Sequence, residues 1–238
     1  MAHRSGESRQ QATLFPVMLD ELVADDAVVR VIDAWVGSLD LKALGFSRTQ
    51  TALTGRPPYD PADLLKLYVY GYLNGVRSSR RLERECARNV ELMWMLGRLA
   101  PDHKTIANFR QSESAALVES AAAFVQFARA QGLIAGETVA IDGTKLRAVA
   151  SRKAVVGQDA LQACQERLND WPDTMRQRRS TVEHPYGTIK DHILGNARLL
   201  MRGIAGARAE LSLAVLAYNL KRVLNMKGSH WTRNAVAA

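Results

Sequence analysis

Two acidic residues, Asp142 and Glu183, stand in contexts that suit phosphoryl-transfer chemistry. Asp142 ends the run ETVAID, a short string of β-forming residues, and Gly143 follows it. Glu183 has Arg179 four residues before it and Lys190 seven residues after it, spacings that return to one side of a helix. Cleavage of a phosphodiester commonly uses two divalent cations, which stabilise the attacking and leaving oxygens and prefer carboxylate ligands. The pattern is typical of a metal site flanked by phosphate-holding cations.

Each of these residues also has a purely structural interpretation. Asp142 could cap a turn after its strand. The charges at 179, 183 and 190 could form a surface ladder of ion pairs, which contributes little energy. The residues by themselves leave both interpretations open.

The stretch RSTVEHPYGTIK, residues 179–190, resembles the block around the catalytic glutamate of bacterial insertion-sequence transposases of the DDE class. These enzymes carry a Tyr-Arg-Glu-Lys signature with the spacing Y-x2-R-x3-E-x6-K. Arg176 stands at the tyrosine position, and the other three positions are matched by Arg179, Glu183 and Lys190. AIDGTKLRA, around Asp142, resembles the segment of the first catalytic aspartate. GRPPYDPADLLKL, PDHKTIANFR and LAVLAYNLKRVLN resemble the family's amino-terminal domain and closing helix.

The resemblance implies a ribonuclease-H-like core that depends on Mg²⁺ or Mn²⁺ and moves DNA bearing terminal inverted repeats. It assigns metal binding to Asp142 and Glu183, and it assigns catalytic roles to these two acids together with Arg179 and Lys190. The partners that it implies are double-stranded DNA of the element's ends and of the target.

The family places a second catalytic aspartate on a later strand, yet only 40 residues separate Asp142 from Glu183 here. That interval contains one helical pattern, QDALQACQERLND, and has no room for several more strands of about 5–6 residues each. None of the intervening aspartates ends a strand-like run: Asp159, Asp170 and Asp173. We therefore expect an internally shortened copy, joined near 155–159, with little or no activity. An incomplete sheet would expose strand edges, so self-association into a homo-oligomer is expected.

Three short helices predicted over 78–112 could form a helix-turn-helix, in which the second helix lies in the major groove. PDHKTIANFR offers side chains that donate to phosphates or base edges, with His103 at its start and Arg84 on the preceding helix. A small core with solvated polar helix faces explains the same pattern equally well. The residues predicted to bind DNA are Arg80, Arg81, Lys104, Thr105, Asn108, Arg110, Lys145 and Arg147.

Positive charge is concentrated in the second part of the chain. The formal net charge is +8; residues 1–141 hold 16 Lys/Arg and 16 Asp/Glu, whereas residues 142–238 hold 16 and 8. Such asymmetry is typical of a polyanion-binding surface, although a solubilising surface would also produce it. No stretch approaches the roughly 20 apolar residues of a membrane span, and the polar start lacks a signal peptide. With Cys86 and Cys164 far apart and without metal-ligand spacing, the expected location is the reducing cytoplasm, with no membrane partner.

The elements that would position these residues are mainly α-helical. We predict a polar arm over 1–15, a helical, helix-turn-helix-like DNA-binding domain over 16–132, and a truncated, incomplete ribonuclease-H-like α/β catalytic domain over 133–238. Asp60 and Pro61 provide a helix cap and first position. The clearest strand is predicted over 137–142, with helices at 158–169 and from about 182 onward. The alternative to an impaired transposase is a non-catalytic DNA-binding remnant or a repressor of transposition.

Overall fold

A computed structural model describes residues 18–47, 49, 58–134, 184–195 and 198–237. This part of the chain is mainly helical, which confirms the predicted fold class there, while the predicted strand at 137–142 and helix at 158–169 lie outside it. A short 3₁₀ helix spans Leu19–Leu22. The α-helices are α1 Val28–Gly37, α2 Pro61–Leu73, α3 Ser79–Arg88, α4 Val90–Met95, α5 His103–Ser112, α6 Ser114–Ala130, α7 His184–Gly187, α8 Gly203–Lys227 and α9 Ser229–Ala237.

Side-chain caps set where several of these helices begin. The Asp60 carboxylate accepts a hydrogen bond from the backbone N–H of Ala62 at 2.8 Å, which confirms the predicted start of α2. Asn89 ends α3, and its side chain caps the first amides of α4. Local chemistry therefore separates the short helices that the candidate interface uses.

Helix α8 lies at the centre of the core because it is apolar around much of its circumference. It packs against α2 and α6, while α9, which follows it, packs against α1. Small buried residues along α8, including Ala209, Ala214 and Ala217, allow neighbouring helices to approach closely. Trp35 of α1 and Phe124 of α6 meet edge to face in this core, with ring centroids 5.6 Å apart. The carboxyl-terminal helices thus complete the core of the amino-terminal ones.

The described end of the signature-like block is a turn of α-helix continued by a π-helical turn. Pro185 lies in the first turn of α7, the one helical position that tolerates proline without loss of a hydrogen bond. The π-helical turn spans Thr188–Ile193, and the N–H of Leu194 donates to the carbonyl of Ile189 at 2.8 Å. Ile189, Ile193 and Leu194 are buried in the core. Apolar packing therefore anchors this segment to α8.

The connection between α2 and α3 folds back tightly onto α2 at Gly71. The N–H of Val76 donates to the Gly71 carbonyl at 2.6 Å, and a Cβ on Gly71 would lie 2.6 Å from the Val76 carbonyl oxygen. A side chain here would collide with backbone, so the close approach requires glycine. The turn places Arg77 directly over the start of α8 and the segment before it.

A candidate nucleic-acid interface

Helix α3 presents a row of arginines to solvent. Arg80, Arg81 and Arg84 are exposed, and they form no ion pair with any residue in the described part of the chain. The two acids of the helix are engaged elsewhere: Glu85 pairs with Arg88, and Glu83 contacts His103. The hydrogen bond from Arg88 keeps the pKa of Glu85 below its usual value. The acids therefore leave these three positive charges uncompensated by pairing.

Helix α5 begins with a tight cap and keeps two polar side chains on its outer side. The Asp102 carboxylate accepts from the N–H groups of Lys104 and Thr105 at 2.8 and 2.9 Å, and from the Thr105 hydroxyl at 3.0 Å. Backbone donation from Thr105 holds the pKa of Asp102 below its usual value. Lys104 and Asn108, one turn apart, are exposed. The hydroxyl of Thr105 is committed to the cap, whereas Lys104 and Asn108 face solvent.

The two helices contact each other. Nδ1 of His103, at the start of α5, lies 2.9 Å from Oε2 of Glu83 in the middle of α3. The two packed helices carry five exposed side chains, which we call the α3–α5 face: Arg80, Arg81, Arg84, Lys104 and Asn108. Of the other predicted DNA-binding residues, Lys145 and Arg147 lie outside the described residues.

Arg110 does not lie on this face. It is only 8 % exposed; its guanidinium carbon sits 5.4 Å from the centroid of the Tyr68 ring, and Nη1 donates to the Arg77 carbonyl at 3.3 Å. The physical reason is helical phase, because Arg110 follows the fully buried Ile106 by one turn and adjoins the buried Phe109. The structure thus gives Arg110 a place in the core, where a phosphate contact was predicted.

A buried ion pair links the loop before α3 to helix α8. Nη1 of Arg77 lies 2.9 Å from Oε1 of Glu210, whose side chain is 0 % exposed. The other carboxylate oxygen of Glu210 accepts from the N–H groups of Leu200 and Met201 at 2.6 and 3.0 Å. Arg77 also donates to the carbonyl of Arg198 at 2.9 Å. Both carboxylate oxygens of Glu210 and the guanidinium of Arg77 therefore have hydrogen-bond partners inside the protein.

Two domain families match this chain. Residues 17–112 match the model described as Transposase domain (DUF772), and residues 142–224 match the model described as Transposase DDE domain. Together the two matches cover most of the chain. The chain carries the domains of a DDE transposase. No curated protein and no solved structure matches it. Transposases of this class generally use divalent metal ions.

The α3–α5 face of the transposase lies within the first matched domain, and the predicted catalytic block lies within the second. Of that block the structure describes Lys190, which is exposed on the π-helical turn between the buried Ile189 and Ile193. Asp142, Arg179 and Glu183 lie outside the described residues. Within the described ranges, no three His, Cys, Asp or Glu side chains are grouped as metal ligands.

The loop before α3 of the transposase touches the segment that carries Lys190. A Cβ on Gly75 would lie 3.6 Å from the carbonyl oxygen of His192, and Nη2 of Arg77 approaches the Gly195 carbonyl at 3.5 Å. The structure therefore brings the start of the basic helix α3 beside the segment that follows Glu183 in sequence.

In the described ranges, no helix combines the length and apolar character that a bilayer crossing requires.

Sequence reasoning missed Arg77 and Glu210, although a signal was present. Glu210 is the one acidic residue in the last 47 positions, and it lies in the middle of an otherwise apolar helical stretch. An isolated acid in such a stretch needs a buried cation or several N–H donors, since a lone buried charge is costly. The transposase supplies both.

Proposed function

We propose that this transposase binds double-stranded DNA through the α3–α5 face and that its DNA-cleaving centre is impaired. The single observation that carries the first part is the arginine row of α3, whose own acids pair with His103 and Arg88. Such a row neutralises phosphates and releases their counterions, which is the main source of affinity for duplex DNA. Lys104 and Asn108 on the adjoining helix suit contacts to phosphates or base edges.

The second part rests on the residues of the DDE domain. Asp142 and Glu183 are the proposed ligands of Mg²⁺ or Mn²⁺, and Arg179 and Lys190 are proposed to hold phosphates of the scissile strand. The cations supply stabilisation of the attacking and leaving oxygens when they are bound. The exposure of Lys190 on an anchored turn supports its proposed role, because a phosphate can reach the ammonium group.

We propose that DNA cleavage is impaired because the sequence offers no candidate for the second catalytic aspartate. The 40 residues between Asp142 and Glu183 leave no room for the several strands that a complete sheet needs, and none of the aspartates among them ends a strand-like run. Two carboxylates hold a pair of hard cations less firmly and less precisely than three. Weak or absent strand transfer follows, and we propose the internal shortening on the same grounds. We propose the Tyr-Arg-Glu-Lys type because Arg179, Glu183 and Lys190 match its spacing.

A second function is favoured by the same observation. A chain that keeps the α3–α5 face but lacks a complete metal set would occupy the ends of its element without cutting them. It would then act as a non-catalytic remnant or as a repressor of transposition. The two functions share the DNA contact and differ only in chemistry.

The test of the proposed function uses the DNA that flanks the gene. We expect inverted repeats there, and a duplex with these repeats should bind the purified protein about 10³-fold more tightly than a scrambled duplex at physiological salt. Fluorescence anisotropy with both duplexes measures the ratio. Equal affinity for the two duplexes would remove the assignment to particular DNA ends, and absence of binding to either would refute the function.

A further inference from the structure

The loop from Arg198 to Ile204, which leads into α8, alternates exposed and anchored residues. Arg198 and Arg202 are exposed, Leu200 is 43 % exposed, and Leu199 is buried. Ile204, in the first turn of α8, is 76 % exposed, a large value for a branched apolar side chain. We call this segment the 198–204 loop. Its outer surface is a pair of arginines set beside a pair of apolar side chains.

Hydrogen bonds to Glu210 and Arg77 hold the backbone of the 198–204 loop in place. The buried Glu210 carboxylate accepts from two successive N–H groups of the loop, those of Leu200 and Met201. Arg77 donates to the Arg198 carbonyl and pairs with the same carboxylate. A loop with so many buried charge-assisted hydrogen bonds is pre-organised, so its exposed side chains are presented in a defined arrangement at little further entropic cost on binding.

The net positive charge around the 198–204 loop indicates which kind of partner this surface would bind. Seven lysines and arginines lie between residues 192 and 238, and the one acid there, Glu210, is fully buried and neutralised by Arg77. The surface contributed by this stretch is therefore positive, and it favours a polyanion. An apolar side chain flanked by arginines is the arrangement with which proteins approach a DNA groove, where the cations bind phosphates and the apolar group lies against a base step.

The position of the loop joins it to the α3–α5 face. Arg77 binds the loop and lies two residues before the start of α3, which carries Arg80 and Arg81. A duplex bound along α3 would reach the 198–204 loop and then the segment that carries Lys190, which the Gly75–His192 approach places beside the same turn. The turn before α3 therefore contacts both the 198–204 loop and the segment that carries Lys190.

We propose that the 198–204 loop is a second DNA contact, in which Arg198 and Arg202 bind backbone phosphates while Leu200 and Ile204 lie against a groove. The contact rests on the proposed DNA-binding function and extends it to a surface outside the α3–α5 face. Its role is to guide the duplex from the recognition helices towards the catalytic block.

The experiment compares three forms of the full-length protein on one duplex across a salt series. The Arg198→Gln/Arg202→Gln variant should lower the slope of log affinity against log salt by about 2, since each lost phosphate contact removes about 0.9. The control, Lys221→Gln/Lys227→Gln, removes the same charge from exposed positions roughly 27 Å or more farther along α8 and should change the slope much less. Equal losses in both variants would overturn the proposal, because general charge would then explain the binding.

A fourth form, Ile204→Ser, tests the apolar part separately. We expect about tenfold weaker binding with an unchanged salt slope, because removal of an apolar contact releases no counterions. Unchanged affinity would overturn the groove contact. Wild-type protein that binds no duplex would refute the proposed function itself, whereas wild-type binding with an unaltered slope in the arginine variant would refute only the loop contact. Thermal unfolding confirms that each variant is folded.

Discussion

Replacing Glu210 by alanine is expected to lower the free energy of unfolding by about 3–5 kcal/mol. The carboxylate is fully buried, so the substitution leaves the guanidinium of Arg77 without its partner in a site where that group is 12 % exposed. It also leaves the N–H groups of Leu200 and Met201 without their acceptor. Unpaired buried charges and donors are among the most costly defects in a folded protein. Urea unfolding followed by far-ultraviolet circular dichroism measures the change.

The matched variant is Glu210→Gln, which keeps the size and one carbonyl acceptor but removes the charge. It should lose less stability than alanine because the amide oxygen can still accept from Leu200 or Met201. Arg77→Met should be destabilising through the same pair, and its effect should not add to that of Glu210→Ala. A loss below 1 kcal/mol for Glu210→Ala would show that the buried pair does not hold the loop.

Replacing Arg80, Arg81 and Arg84 together by glutamine should weaken DNA binding on the order of 10²–10³-fold at 50 mM salt. Each arginine that contacts a phosphate releases counterions, so the slope of log affinity against log salt should also fall by roughly 3. The side chains are exposed and unpaired among the described residues, so the folded state should lose little stability. Fluorescence anisotropy between 50 and 200 mM salt gives both quantities.

A charge-matched control distinguishes the α3–α5 face from net charge. Lys42, Arg129 and Lys221 are exposed on other elements, and their replacement by glutamine removes the same three charges. This control should keep most of the affinity and most of the salt slope. If the α3 variant binds with the wild-type slope, the α3–α5 face is not where DNA binds.

Local features of the fold were predictable because they depend on short-range chemistry. Asp60 followed by Pro61 determines where α2 begins, and the largely apolar circumference of the helix around LAVLAYNLKRVLN is typical of a buried helix. The pairing of distant residues was not predictable in this way. Arg77 and Glu210 lie 133 positions apart, and helical periodicity shows which face of a helix is apolar but not which helix covers it.

For Arg110, the residue type suggests a surface position, whereas its position along the helix predicts burial. Its charge favours a surface role, yet its position one turn after Ile106 places it on the buried side of α5. A planar guanidinium can enter a core when it stacks on an aromatic ring and donates to a carbonyl, as it does beside Tyr68. Residue type alone therefore favoured a surface role for a side chain that the structure buries.

The candidate catalytic block was predictable only in its composition. The spacing of Glu183 and Lys190 assumes a regular α-helix between them, whereas Lys190 lies in a π-helical turn that closes i→i+5 hydrogen bonds. The wider turn changes the angular step per residue, so the side on which Lys190 emerges does not follow from a seven-residue spacing. Whether Asp142 and Glu183 come close enough to share metal ions depends on tertiary packing that no local pattern encodes.

The most direct test is a cleavage and strand-transfer assay on DNA that carries the element's own ends. The purified protein is incubated with this DNA and Mg²⁺ or Mn²⁺ at concentrations where anisotropy shows the ends to be bound, beside a Glu183→Gln variant. A transposase with an incomplete carboxylate set should bind the ends yet yield no more product than Glu183→Gln. Robust cleavage that disappears in both Asp142→Asn and Glu183→Gln would contradict this account, because the two acids would then suffice with whatever third ligand the chain provides.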